Sequence, residues 1–240
     1  MNQYKYLMRL MPVCSIVLVI LIMGSFYINK AVTVISENRP YTQRSVMIID
    51  PGHGGEDGGA TSCTGVLESQ INLEIALRLN DLMHLLGVDT YMIRDTDVSI
   101  YTEGNSLSAK KISDLKQRVK IANSINNAIL VSIHQNYYPD SRYGGAQVFY
   151  AESSGSEVLA KELQEKFVSS INPGSARLAK KASGIYLMKH VKCSAVLVEC
   201  GFLSNYQEEA KLRDAFYQKK ICCVIGVVCS DYFVRNQTFS

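Results

Sequence analysis

The chain has 240 residues, a formal net charge of +3 and 47% hydrophobic residues. Its lysines and arginines are scattered rather than gathered into one basic run, so nucleic acid is not expected as a partner, while the mildly basic surface tolerates an anionic polymer. Once a membrane-directed N-terminus is set aside, roughly 200 residues remain, enough for one domain with a full core.

Residues 11–28 are almost wholly apolar and follow Lys5 and Arg9. A run of this length approaches the roughly 20 residues that span a bilayer, and the basic flank keeps the N-terminus cytoplasmic and the rest of the chain outside. Nothing in the run alternates polar with apolar, which argues against a core helix. No Ala-x-Ala-like site follows it, which favours an uncleaved signal anchor over a removed signal peptide. Residues 29–44, polar and holding Pro40, read as a tether. The expected organisation is therefore a cytoplasmic stub and anchor over 1–28, a tether over 29–44, a folded domain over 45–234 and a short tail over 235–240.

Within the domain, strands and helices alternate. Strands are predicted over 46–49, 90–93, 128–133, 146–150 and 195–199, with helices over 67–86, 112–124 and 156–170, and 206–233 as one helix or two. Ile71, Ile75, Leu79, Leu82, Met83 and Leu86 keep helical spacing, and Gly87 supplies a left-handed stop. The runs at 129–133 and 195–198 are apolar at every position but Ser132, as strands covered on both sides should be. The fold class expected is α/β: a single three-layer domain, a mostly parallel mixed sheet with helices on both faces, preceded by an N-terminal transmembrane anchor. Residues 95–111 form the longest polar connection after the tether, either a lid or substrate-contact loop or simply a solvated one.

The 7 cysteines are odd in number and irregularly spaced, and none forms Cys-x-x-Cys, which disfavours a zinc ribbon or a thioredoxin-like site. Cys193, Cys200, Cys222, Cys223 and Cys229 read as small buried hydrophobes. Cys63 stands apart in a Ser/Thr/Gly loop that could expose it.

The chemistry-bearing residues cluster at predicted strand ends, where ligands gather in such sheets. His53 follows an apolar strand inside Asp50-Pro51-Gly52-His53-Gly54-Gly55, and the glycines let the backbone bend and leave the imidazole approachable. His134 follows the strand at 128–133, and Glu199 ends the one at 195–199. A buried carboxylate at Glu199 would be costly without a cation or hydrogen bonds to offset it. Glu68 opens a helix, where a carboxylate either ligates or serves the helix dipole. Two histidines, a carboxylate ligand and a spare carboxylate are the components of a catalytic zinc site. Asp50 and Asp57 could support an imidazole N–H or stabilise the turn. Arg94 and Arg118 could meet substrate carboxylates or make ordinary ion pairs. His84, on a helix, reads as structural or surface, and nothing in the spacing of His190 requires a role.

Ordered stretches carry a resemblance. They are Ile48-Ile49-Asp50-Pro51-Gly52-His53-Gly54-Gly55; Glu68 with Asn72 and Leu73; Arg118 with Ala122-Asn123; Val131-Ser132-Ile133-His134-Gln135-Asn136; and Val196-Leu197-Val198-Glu199-Cys200-Gly201-Phe202 followed by Glu208-Glu209. From about Val46 to Phe233 the chain resembles the zinc-dependent N-acetylmuramoyl-L-alanine amidases of the amidase-3 family. Within it, the single-pass N-terminus and the lack of wall-binding repeats are most similar to the branch that prepares spore cortex for germination.

The resemblance implies that His53, Glu68 and His134 bind Zn2+ and that Glu199 is the catalytic carboxylate. The bond cut would be the amide joining N-acetylmuramic acid to L-alanine in peptidoglycan. Asp57, Asn136 and Arg94 would support the ligands or contact substrate. The enzyme would act at the extracytoplasmic face of the cell membrane, in the forespore or spore envelope, held through its N-terminal helix. The regulatory helix that blocks the cleft of some envelope amidases has no clear counterpart here, which leaves control to an extracytoplasmic activator protein or to timing of expression. Gly58 and Ser194 stand where proline is frequent in the family, and Gln135 where alanine is frequent; none is a proposed ligand. Two other classes stay open: a peptidoglycan-binding scaffold without turnover, and a zinc peptidase cutting within the stem peptide.

Overall fold

A computed structural model of the chain describes residues 45–237. The anchor and tether expected over 1–44 lie outside the described residues. Among the described residues, no helix is long and apolar enough to cross a membrane.

A six-stranded sheet is built from β1 (Val46–Pro51), β2 (Asp89–Met92), β3 (Ala128–Asn136), β4 (Gln147–Tyr150), β5 (Lys180–Lys181) and β6 (Ser194–Phe202), in the order β2-β1-β3-β6-β4-β5. The first four strands of that order run parallel, and β4 turns antiparallel to β6. The helices are α1 (Glu68–Leu85), α2 (Leu107–Ser124), α3 (Ser156–Ser170), α4 (Tyr186–His190), α5 (Tyr206–Leu212) and α6 (Ala215–Gln237).

Alternation along the strands makes two cores. Met47, Ile49, Val131 and Val198 face one way and pack with Ile75 and Leu79 of α1, Phe167 of α3 and Ile225 of α6. Ile48, Leu130 and Leu197 face the other way, against Ala122 of α2 and Leu187 of α4. Every one of these side chains is buried, so the strands carry apolar residues on both faces. This is the expected single α/β domain with helices on both faces of a mixed sheet.

The differences from the sequence reading are local. Strands β3 and β6 outlast their predicted ends by three residues, because His134 and Asn136 still pair with Glu199 and Phe202 of β6, across an irregularity between them. Polar side chains end an apolar run without ending the backbone pairing. Helix α2 starts at Leu107 rather than 112, where the Ser106 hydroxyl accepts from Ala109 N at 3.2 Å. The stretch 206–233 is two helices; Asp214 restarts the second by accepting from Tyr217 N at 2.8 Å, and α6 reaches Gln237, into the expected tail. Elements as short as β5 and α4 give no periodic signal. Cys200, Cys222 and Cys229 are buried as expected, whereas Cys223 is exposed on α6. It lies next to buried Cys222 on a helix, so its side chain points about 100° away.

Candidate active site

Three chain segments meet at the carboxyl end of β1, β3 and β6. After β1 the chain turns sharply at Gly52 and His53, and His53 itself takes a left-handed conformation with φ of 61°. That region is uncommon for a residue with a Cβ and recurs at functional sites. Two buried arginines hold the turn. Arg94 donates to Pro51 O at 2.9 Å, Gly52 O at 3.1 Å, Ser69 O at 2.9 Å and Thr96 O at 2.9 Å. Arg118 donates to Pro51 O at 2.9 Å and His53 O at 2.8 Å and pairs with Asp50, whose other oxygen accepts from Ser132 Oγ at 2.6 Å. Arg94 is spent on backbone carbonyls, and Arg118 on backbone carbonyls and the carboxylates of Asp50 and Asp114, so neither is free to meet a substrate carboxylate. Burial alone would raise the Asp50 carboxyl; the Arg118 charge and the Ser132 hydroxyl outweigh it and hold the pKa below the ordinary value.

Glu68 is the first residue of α1 and is buried. Its Oε1 lies 2.9 Å from His134 Nδ1 and its Oε2 lies 3.3 Å from His53 Nε2. Backbone amides fix the carboxylate as well, from Ala60 at 3.0 Å and Gln135 at 3.2 Å. Asn72, one turn along α1, donates to Gly52 O at 3.1 Å and to Glu68 Oε1 at 3.3 Å. One ligand-type atom from each of His53, Glu68 and His134 falls within 4.8 Å of the others. The two imidazole centroids are 4.9 Å apart in an edge-on arrangement.

Asp57 supports His53 from behind. Its Oδ2 is 2.9 Å from His53 Nδ1, and Lys111 reaches its Oδ1 at 2.8 Å. With Nδ1 turned to Asp57, Nε2 is the ring atom turned to Glu68, and it is the one a cation would take in place of a proton. Burial works against a charged His53, yet hydrogen bonds to Asp57 and Glu68 prevail and raise its pKa to about 9. Glu68 is driven the other way: burial opposes its ionisation, but hydrogen bonds to His134 and His53 carry it far below the usual carboxylate range. The surroundings thus stabilise positive charge between the two rings, which is the condition a divalent cation needs.

Glycines keep this space open. A Cβ on Gly52 would stand 2.2 Å from His134 Nε2, and one on Gly59 would stand 2.6 Å from Glu68 Oε2 and 2.8 Å from a carbon of the His53 ring. A donor set of two imidazoles and a carboxylate, oriented by hydrogen bonds and cleared by glycine, fits a divalent metal ion.

Glu199 faces His134 in the β3–β6 register. Its Oε2 is enclosed and has no hydrogen-bond partner among the described residues. Burial pushes its pKa up to about 7, with the Glu68 charge adding to the rise and the two histidines opposing it. A carboxyl that gains and loses a proton near neutrality suits general acid–base work. Asn136, two residues beyond His134, ends β3 opposite Phe202, half-buried.

A cleft opens beside His53, lined by Asp57, Ser99, Tyr101, Lys110 and Lys111 among others. The polar connection expected over 95–111 supplies one wall of it. That connection is tied to the turn, Ser99 Oγ donating to Gly54 O at 2.6 Å and Asp97 accepting from Gly55 N at 3.0 Å. Sequence reasoning placed His53, Glu68, His134 and Glu199 together, and they do meet. The part played by Asn72 was not foreseen, though an Asn one helical turn after Glu68 was the available signal; of the two alternatives for the arginines, Arg118 makes ion pairs, with Asp50 and Asp114, and Arg94 binds backbone carbonyls.

A family model described as N-acetylmuramoyl-L-alanine amidase matches residues 47–226. The germination-specific N-acetylmuramoyl-L-alanine amidase of Bacillus subtilis is 37% identical over 193 residues, 80% of this chain and 81% of its own length. Among solved structures, the CwlD amidase of Clostridioides difficile, in complex with the GerS lipoprotein, has a TM-score of 0.76 at 36% identity, covering 80% of this chain and 99% of that one. The amidase AmiC2 of Nostoc punctiforme has a TM-score of 0.67 at 28% identity, covering 78% of this chain and 96% of that one.

Proposed function

Because the chain belongs to the N-acetylmuramoyl-L-alanine amidase family, we infer that it is a hydrolase cutting the amide between N-acetylmuramic acid and L-alanine in peptidoglycan. The observation that carries this reading is the convergence of His53, Glu68 and His134 within 4.8 Å beside the unpartnered oxygen of Glu199. We assign the three as ligands of Zn2+, Glu199 as the catalytic carboxylate, and residues 45–234 as the catalytic domain. A zinc ion held there would supply Lewis-acid polarisation of the amide carbonyl and acidify a water molecule. The Glu199 carboxylate accepts the proton of the attacking water and returns it to the alanine nitrogen as the C–N bond breaks, so the products are the free lactyl carboxylate and a peptide beginning with L-alanine. Asp57 and Asn72 keep His53 and Glu68 aimed, and Arg94 and Arg118 hold the turn.

The germination-specific relative supports a role in spore cortex maturation, at the extracytoplasmic face of the membrane. The apolar run at 11–28 is proposed as the anchor that keeps the enzyme there. The lipoprotein bound to the similar amidase supports an extracytoplasmic activator for this one.

Removal of metal tests the reading. Dialysis against a chelator is expected to abolish release of peptide from purified peptidoglycan, and added zinc to restore it; turnover that persists in metal-stripped protein contradicts it. Gly52→Ala is expected to displace the His134 ring and weaken zinc binding about 10- to 100-fold, read by competition with a chromogenic chelator. Unchanged affinity would mean that His134 is not a ligand.

A further inference from the structure

The order β3-β6-β4 forces the connection from Asn136 to Gln147 to cross over the carboxyl end of β6, just beyond Glu199. This crossing carries Tyr137, Tyr138 and Tyr143, which are 51%, 49% and 48% exposed. Tyr138 and Tyr143 meet edge to face with centroids 4.7 Å apart, and Tyr143 lies 6.4 Å from the Phe202 ring beneath. The crossing is fixed rather than free. Tyr138 N donates to Ser204 Oγ at 3.2 Å, Asn205 Nδ2 to Tyr143 O at 3.3 Å, and Gly145 N to Glu208 Oε1 at 2.7 Å. The charged pair on it, Asp140 and Arg142, is closed on itself at 2.7 Å.

We propose that Tyr137, Tyr138 and Tyr143 form a ledge on which the pyranose rings flanking the reacting muramic acid stack. The proposal rests on the amidase reading, which fixes what lies on each side of the scissile bond. Once the lactyl carboxyl is tied up in the amide, the glycan is an uncharged string of rings with apolar faces and polar edges, whereas the stem peptide carries carboxylates. The two rims of the site differ in the same sense. The β6 side offers tyrosine faces with hydroxyl edges, the matching amphipathic surface; the His53 side is lined by the Lys110–Glu56 and Lys111–Asp57 ion pairs, and its Tyr101 ring is covered by Lys110, 5.0 Å from the centroid. A rigid aromatic surface half open to solvent, at the mouth of a site, calls for a ligand that covers it.

The test compares two substrates with the full chain: polymeric peptidoglycan, and N-acetylmuramoyl-L-alanyl-D-isoglutamine, which has no flanking sugar. Tyr137→Ala and Tyr143→Ala are expected to raise KM on the polymer about tenfold with kcat little changed, and to leave turnover of the single-sugar substrate as it was. Tyr137→Phe, which keeps the ring face and loses only the hydroxyl edge, is expected to raise KM on the polymer less than Tyr137→Ala does. Peptide-free glycan strands are expected to bind the parent and to bind both alanine variants about tenfold more weakly, a difference of about 1.4 kcal/mol. Equal KM and equal glycan affinity in parent and variants overturn the ledge. Should the parent cleave neither substrate, the amidase reading fails, and the glycan-binding arm still decides the ledge. Tyr137→Ala carries the test if Tyr143→Ala, whose ring packs near Phe202, fails to fold.

Discussion

Replacing Glu199 with alanine is expected to lower amide hydrolysis by about 10²- to 10⁴-fold, the usual contribution of a positioned general acid–base. Zinc affinity and folding are expected to survive. Glu199 stands in register with His134, yet the donor atoms that converge belong to His53, Glu68 and His134. Its enclosed Oε2 has no partner that the substitution would orphan, so the folded state loses little and sheds the cost of that one unpaired oxygen. Steady-state rates, a chelator competition and a thermal melt on the same preparation separate these effects. Loss of zinc along with activity would make Glu199 a ligand, and retained activity would remove it from the chemistry.

Arg118→Leu is expected to destabilise the domain by about 3–5 kcal/mol, the typical result of deleting one partner of a buried ion pair. The leucine would leave Asp50 charged and enclosed, and Pro51 O and His53 O without this donor. The sign with pH follows from Asp50. Its folded pKa lies below the unfolded one, so the stabilisation is present above the ordinary carboxylate value near 3.8 and is lost as pH falls through the lowered folded value. In the variant Arg118 no longer offsets the burial of Asp50, its pKa rises, and acid unfolding is expected to begin at higher pH. Urea melts at neutral and acid pH measure both effects. A variant as stable as the parent would show that Arg94 alone holds the turn.

Much of this protein is legible in its sequence. The apolar strands at 46–49, 128–133 and 195–199 announce a covered sheet because both faces of each must be buried, and the spacing of Ile71, Ile75 and Leu79 announces the helix laid on it. His53, His134 and Glu199 could be grouped because α/β sheets open their clefts where strands end. What stayed hidden depends on contacts between residues far apart in sequence. Arg94 and Arg118 look like surface charges until their carbonyl partners, 42 and 65 residues away for Gly52 and His53, are seen. Strand ends at Asn136 and Phe202 are set by mutual pairing rather than by either segment's own preference. The tyrosine crossing reads as a polar loop in sequence; only the position of β6 between β3 and β4 brings it to the site. Lys111 likewise reaches Asp57 across the cleft.

The most direct measurement is the chemical identity of the new ends made when the zinc-loaded full chain acts on purified peptidoglycan. Mass spectrometry of the soluble products is expected to find peptides with a free L-alanine amino terminus, matched by glycan bearing free lactyl carboxylates, and neither when chelator is present. Peptides cut within the stem, with lactyl amides intact, would contradict the account and make the protein a peptidase; zinc-loaded protein that binds the polymer and releases nothing would make it a scaffold.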